Sequence, residues 1–173
     1  LRVIAPLPWF PKLKCLSSLA YARFSQVHDQ ELIDGIMTYH PRHVVIPKIA
    51  RWFSGYSLYQ SIRQLAKKIQ HDFSFDAILG TWAYPDAYAA FLLAKELNKP
   101  LFIKVHGTDI NVLAQYPSLR KRMIKAFEYC ECIFAVSNDL KQKIVNLGIS
   151  DDKISVVSNG IDADKFTPMD RRL

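Results

Sequence analysis

The stretch Pro100-Leu-Phe-Ile-Lys-Val-His-Gly-Thr-Asp109 runs from an apolar segment straight into four residues able to do chemistry. Its first half, rich in branched and aromatic side chains and opened by a proline, reads as a buried strand. An imidazole, a glycine, a hydroxyl and a carboxylate then follow in consecutive positions. Gly107 lets the backbone approach a ligand or take a positive φ. Thr108 or Asp109 suits the cap of a short helix. Taken alone, the segment also fits a plain strand end with His106 bonded internally.

The pattern repeats on both sides. Arg2 to Leu7, Asp76 to Gly80, Cys132 to Val136 and Ile154 to Val157 are further short apolar runs. Ile36–Tyr39 and His43–Ile46 read as extended, interrupted at Pro41 and closed at Pro47. Leu7-Pro-Trp-Phe-Pro11 predicts a rigid turn, and residues 12–34 a loop with a short helix. Between the runs, Leu58, Ile62, Leu65 and Ile69 recur at helical spacing with Arg63, Lys67 and Lys68 between them. Ala87, Ala90, Phe91, Ala94 and Leu97 mark a second helix whose small alanines permit close packing on a sheet. Leu119, Met123, Ala126 and Phe127 mark a third. Ser137 or Asn138 caps a fourth that Gly148 ends, and Asn159-Gly160 reads as a turn.

Strands alternating with helices of 10–15 residues predict an α/β fold: a Rossmann-like, mainly parallel sheet with helices on both faces. Ligands of such sheets bind beyond the carboxyl ends of the strands. That directs attention to Pro6–Pro11, Thr81–Asp86, His106–Asp109, Ser137-Asn138 and Ser158–Asp162.

Composition supports a globular chain. Of 173 residues half are hydrophobic and 23% charged, which argues against disorder, collagen and coiled coil. Apolar runs are too short for a spanning helix. The chain opens on Leu1 with no charged-then-apolar leader, and a piece of a longer protein is expected. The net charge of +7 is spread along the chain, consistent with solubility or with attraction to an anionic membrane or a phosphorylated ligand. No motif speaks for nucleic acid. Arg120, Lys121, Arg122 and Lys125 are concentrated in one helical stretch with no acid between Asp109 and Glu128. Cys15, Cys130 and Cys132 lack metal or redox spacing and are read as buried small hydrophobes in a reducing compartment. His40 and His43 lack further ligands for a metal.

In combination the motifs are more specific. His106-Gly-Thr-Asp109, Ala135-Val-Ser-Asn-Asp-Leu140, Lys153-Ile-Ser-Val-Val-Ser-Asn-Gly-Ile-Asp162 and Phe166-Thr-Pro168 come in order at intervals of about 30 and 20 residues. This succession resembles the N-terminal domain of the GT-B glycosyltransferases of the large retaining family 4. Val3 to Pro11, Tyr39-His-Pro-Arg42 and Thr81-Trp-Ala-Tyr-Pro-Asp86 resemble its branch acting on exported bacterial polysaccharides. The resemblance implies an acceptor-side domain over residues 1–160 and the start of an interdomain linker over 161–173. It places the family's first βα unit with its glycine-rich loop, and the donor-binding domain, outside the chain. Ser158 stands where the family usually has proline.

The resemblance further implies transfer of a sugar from a nucleotide diphosphate sugar to a glycan or lipid-linked acceptor, with retention of configuration. The nucleotide-sugar is a co-substrate; no cofactor and no metal are expected. His106 would be the catalytic residue, orienting the donor sugar or sharing developing charge. Gly107, Thr108, Asp109 and Ser137 would line the donor and acceptor cleft, with Asn159 and Gly160 on its floor near the hinge. Trp82 and Tyr84 would stack on acceptor rings. The implied location is cytoplasmic, at the inner face of the plasma membrane. Two rivals stand beside this reading. A nucleotide-dependent oxidoreductase would need a G-x-G-x-x-G, which the chain lacks. A non-enzymatic carbohydrate- or phosphate-binding module would bind its ligand without a second domain.

Overall fold

The computed structural model describes residues 1–9, 24, 26–44, 51–162 and 164–167. Five short strands come first: β1 (Val3–Ile4), β2 (Leu7–Pro8), β3 (Gln30–Ile33), β4 (Ile36–Tyr39) and β5 (Arg42–His43). The long helix α1 (Arg51–Asp72) leads into β6 (Ile78–Thr81), α2 (Asp86–Leu97), β7 (Leu101–Val105) and the single turn α3 (Thr108–Asn111). Then come α4 (Pro117–Tyr129), β8 (Cys132–Ala135), α5 (Asn138–Val145) and β9 (Ile154–Val156).

β6, β7, β8 and β9 form a parallel sheet in that order. The predicted α/β class and helical cover are met here, but the pairing is not one continuous sheet. β1 pairs parallel with β4, which pairs antiparallel with β3, and β2 pairs parallel with β5 separately. Between β1 and β6 lies a mostly apolar cleft of about 550 Å³ that includes Val3, Ile4, Ile69, Phe73, Leu79 and Leu93 in its walls. A strand stands at that position in the doubly wound order.

Two expectations near the N-terminus are corrected. Leu7-Pro8 is not a turn but a strand against Arg42-His43. A parallel ladder uses alternate amides: Leu7 and Trp9 donate to the Pro41 and His43 carbonyls, so the amide Pro8 lacks is one the pairing does not need. Within the predicted loop, residues 30–33 form a fully exposed strand joined to β4 by Asp34-Gly35, both at positive φ. His40 is held internally, by the Ala5 carbonyl at 3.0 Å and Glu31 at 2.9 Å. Phe10, Pro11, Cys15 and most of residues 12–34 and 45–50 lie outside the described residues.

The core sits between the parallel sheet and α2 and α4, with Leu101, Ile103, Val105, Met123, Phe127 and Ile133 fully buried. α1 packs outside α2 through Leu58, Ile62 and Ala66. The alanines of α2 do bring that helix close to β6. An added Cβ on Gly80 would meet the Ala87 Cα and the Ala90 Cβ, each at 3.0 Å. Cys130 is buried, and desolvation pushes its thiol up to about 12. Cys132 is instead half-buried, at the sheet's surface beside Ser155.

Because helix backbone as well as side chain stands over Gly80, relaxation there is restricted. Gly80→Ala is expected to lower stability by about 1–3 kcal/mol, read as a fall in the midpoint of chemical denaturation. An unchanged midpoint would mean that α2 is free to lift off the strand.

Candidate functional site

The strand register brings several predicted residues to one edge. Thr81 pairs with Lys104, Val105 with Ala135, and Ala135 with Val156. Trp82, His106, the Val136-Ser137 pair and Val157 therefore leave the sheet side by side at its carboxyl end, where α/β sheets hold their ligands.

The centre of this edge is Asp109, which is fully buried. Its Oδ2 accepts the Ala83 amide at 2.9 Å. Its Oδ1 accepts the Gly107 amide at 2.7 Å and the Ile110 amide at 3.2 Å. The His106 amide lies 3.2 and 3.3 Å from the two oxygens. One carboxylate thus ties the loop after β6 to the loop after β7, its charge met by N–H dipoles. Gly107 stands before α3 with φ +128°, ψ −65°, in the region that favours glycine.

The tied loops present two rings. His106 is exposed, and its imidazole stacks on the Trp82 indole with centroids 6.1 Å apart and planes 26° from parallel. Trp82 has φ +73°, a left-handed conformation uncommon for a bulky residue and costing on the order of 1–2 kcal/mol. It is braced on both sides: its amide donates to the Lys104 carbonyl at 2.8 Å and its carbonyl accepts from Ala87 at 3.0 Å. Thr108 is exposed beside them and makes no cap bond; the backbone of Gly107 fills the cap position.

Tyr84 is a correction. It is 2% exposed and faces away from this edge. Its hydroxyl donates to the Arg51 carbonyl at 2.6 Å and accepts the Gly55 amide at 3.1 Å, so the ring has no face left for a sugar. Ser137 reaches the edge, but its Oγ accepts the Leu140 amide at 3.2 Å and serves as the cap of α5. Asn159 and Gly160 are exposed beyond β9 in irregular backbone. No turn forms there, and Gly160 is not left-handed. In the segment read as a linker, Asp162 Oδ1 accepts the amides of Asp164 and Lys165.

Asp86 closes the Thr81–Asp86 stretch that the sequence singled out, but no role was read for it. It opens α2, lines the cleft between β1 and β6, and burial raises its carboxyl to about 6 despite the helix N-terminus. A carboxylate directly after a strand-end loop was visible in the sequence, but its burial was not. Among the described residues no three His, Cys, Asp or Glu side chains converge as metal ligands.

The profile of Glycosyltransferase Family 4 matches residues 18–165, and the chain belongs to that family. TuaC of Bacillus subtilis (strain 168), provisionally assigned as a teichuronic acid biosynthesis glycosyltransferase, is 26% identical over 170 residues. The alignment covers 96% of this chain and 42% of TuaC, so the chain spans less than half that relative's length. Among solved structures, sucrose-phosphate synthase from Thermosynechococcus elongatus superposes with a TM-score of 0.58 at 12% identity, over 93% of this chain and 92% of that one. Anabaena HepE in complex with UDP and glucose gives a TM-score of 0.52 at 17% identity, over 75% of this chain and 33% of HepE. At these identities the structures speak for the fold: the N-terminal Rossmann-like domain of the GT-B architecture.

Two outcomes follow. Asp109→Ala strips several buried amides of their acceptor and is expected to cost about 2–4 kcal/mol, with faster hydrogen exchange at Ala83, His106 and Gly107. Exchange unchanged at those amides would show that the loops hold themselves. For Asp86, a folded-state value of about 6 lies above the unfolded one of about 4. Its contribution to stability is therefore full below pH 4 and lost as pH rises through 6. Asp86→Asn should flatten that part of the stability profile and stabilise the protein at pH 7 by on the order of 1–3 kcal/mol. Parallel profiles for the two proteins would contradict this.

Proposed function

We propose that residues 1–160 form the acceptor-side half of a retaining glycosyltransferase, with residues 161–173 leading into an interdomain linker. The enzyme moves a sugar from a nucleotide diphosphate sugar to a glycan or lipid-linked acceptor at the inner face of the plasma membrane. The observation that carries this reading is the His106–Trp82 ring pair, held at the carboxyl end of the parallel sheet by one buried carboxylate. Family membership supports sugar transfer as the reaction class. The fold shared with HepE, solved with UDP and glucose, supports a nucleotide-diphosphate donor.

In the reaction the bond from the anomeric carbon to the diphosphate breaks. An acceptor hydroxyl oxygen bonds that carbon on the face the diphosphate leaves, and the hydroxyl proton passes to the departing diphosphate oxygen, so the products are the glycoside and the protonated nucleoside diphosphate. His106 is the residue of this chain that contacts the transferred sugar, orienting it through a hydrogen bond with a sugar hydroxyl while the bond to the diphosphate breaks. Trp82 holds the imidazole from behind and offers the rest of its indole to an acceptor ring. Gly107 keeps side-chain bulk out of the space beside His106, and Thr108 adds a hydroxyl at the rim. Asp109 is a positioning residue, since its oxygens are already occupied by amides.

The test is turnover by the intact protein with a panel of nucleotide-sugars and a bacterial lipid and glycan extract, the anomeric configuration of the product being read by NMR. His106→Ala should lower kcat by 10²–10³-fold, about the cost of one preorganised polar contact, with circular dichroism unchanged. A folded variant with near-normal kcat removes His106 from the reaction, and an inverted product overturns retention.

A further inference from the structure

The N-terminal end of α1 carries Trp52, Phe53 and Tyr56, all exposed, with rings in sequential contact at 5.9 and 5.7 Å. These are large apolar groups on a surface helix, and the helix has no need of them for its own packing, which uses Leu58, Ile62, Ala66 and Ile69. They do not stand alone. The Arg122 guanidinium of α4 lies over the Trp52 ring at 5.6 Å, and that of Arg51 over exposed Tyr116 at 5.1 Å. Around Arg122, the exposed Arg120, Lys121 and Lys125 extend the basic surface along α4. Neither contributing segment supplies an acid: none occurs from Arg51 to His71, and none from Ile110 to Phe127.

The sequence displayed the basic half of this patch. Only the fold shows that α1 sets a row of aromatic rings against it. Rings and cations interleaved without carboxylates match the boundary of an anionic bilayer, where amphipathic aromatics sit at headgroup level and lysines and arginines meet lipid phosphates. Among the described residues no helix is long and apolar enough to cross a membrane, so the contact is one of lying on the surface. The patch also has a fixed relation to the ring pair. Tyr84 bonds the backbone of Arg51 and Gly55 in α1 and sits two residues from Trp82. The amino-terminal ends of α1 and α4 thus flank the same end of the sheet as His106.

We propose that this face docks on an anionic lipid surface, Trp52, Phe53 and Tyr56 entering the headgroup region while Arg120, Lys121, Arg122 and Lys125 meet lipid phosphates. The orientation points the carboxyl end of the sheet along the bilayer, where a lipid-linked acceptor is presented. The lipid-linked acceptor rests on the glycosyltransferase reading, whereas docking is measured without turnover, so failure of the one is distinguishable from failure of the other.

The experiment is flotation of the intact protein with vesicles of phosphatidylglycerol and phosphatidylcholine in equal parts, against vesicles of phosphatidylcholine alone. Binding is expected to the anionic vesicles only, falling as salt rises. Each basic group near the surface is worth about fivefold in partitioning, so Lys121→Gln with Lys125→Gln should weaken binding about 25-fold. Trp52→Ala with Phe53→Ala should weaken binding to the anionic vesicles at low salt, and Trp52→Phe should remove a blue shift of tryptophan emission seen on those vesicles. Circular dichroism checks that each variant is folded. Equal binding to neutral vesicles, no binding to anionic ones, undiminished binding by the double glutamine variant, or retention on heparin without affinity for vesicles would each overturn the proposal.

Discussion

A carboxyl group buried in a protein needs N–H dipoles or other donors at its oxygens, or its burial is costly. Asp109 gathers those dipoles from two separate loops, and the rest of the site follows from that. The amide of Ala83 belongs to the loop after β6; those of His106 and Gly107 belong to the loop after β7, and that of Ile110 to α3, which follows it. Drawing them onto one group fixes how far apart the two loops stand and which way each leaves the sheet. The left-handed Trp82 and the positive φ of Gly107 are conformations that chains avoid when unconstrained. Both lie next to a residue whose amide is bound to Asp109. The ring stack between His106 and Trp82 is the outward expression of an inward bond.

How much of this the sequence disclosed depends on where each residue's environment is local. β7 and β8 were legible because one face is fully buried and the other is half-covered by Phe102 and Phe134, so both read as apolar runs. α1 was legible as a helix but its phase was not. The repeat Leu58, Ile62, Leu65, Ile69 follows an i+7 step, whereas the structure buries Ala66, at i+8, and leaves Leu65 half out. The small side chain of Ala66 hid its position against α2. Asp34-Gly35 and Asn159-Gly160 teach the converse lesson. Both are strong turn dipeptides, yet only the first has two strands to join, and only the first is left-handed.

The site divides in the same way. That His106 lies at a strand mouth could be read from the run before it. That Tyr84 lies inside could not, because its partners are backbone groups of α1, about 30 residues upstream and separated by a strand. A tyrosine two residues after a strand end looks the same in sequence whether it faces a ligand or a helix. The burial of Asp86 was silent for a related reason: its carboxyl is raised by desolvation in a cleft whose walls are contributed by β1, β6 and α2.

The cleft between β1 and β6 also bears on how the molecule carries load. Beside β1 the Ala5 amide donates to the Tyr39 carbonyl of β4, and at β6 the Ile78 and Trp82 amides donate to the Pro100 and Lys104 carbonyls on the β7 side. In a parallel ladder the intervening amides point the other way, here toward the gap. Among the described residues no ladder of backbone bonds crosses it, and the small N-terminal sheet and the four-stranded one are joined there by side chains of α1 and α2. A hydrogen-bonded ladder is stiff and yields all at once, whereas packed side chains slip by fractions of a rotamer. The register between the two sheets therefore rests on how Ile4 and Ile78 pack against Leu58, Ile62 and Leu93, and not on any shared strand.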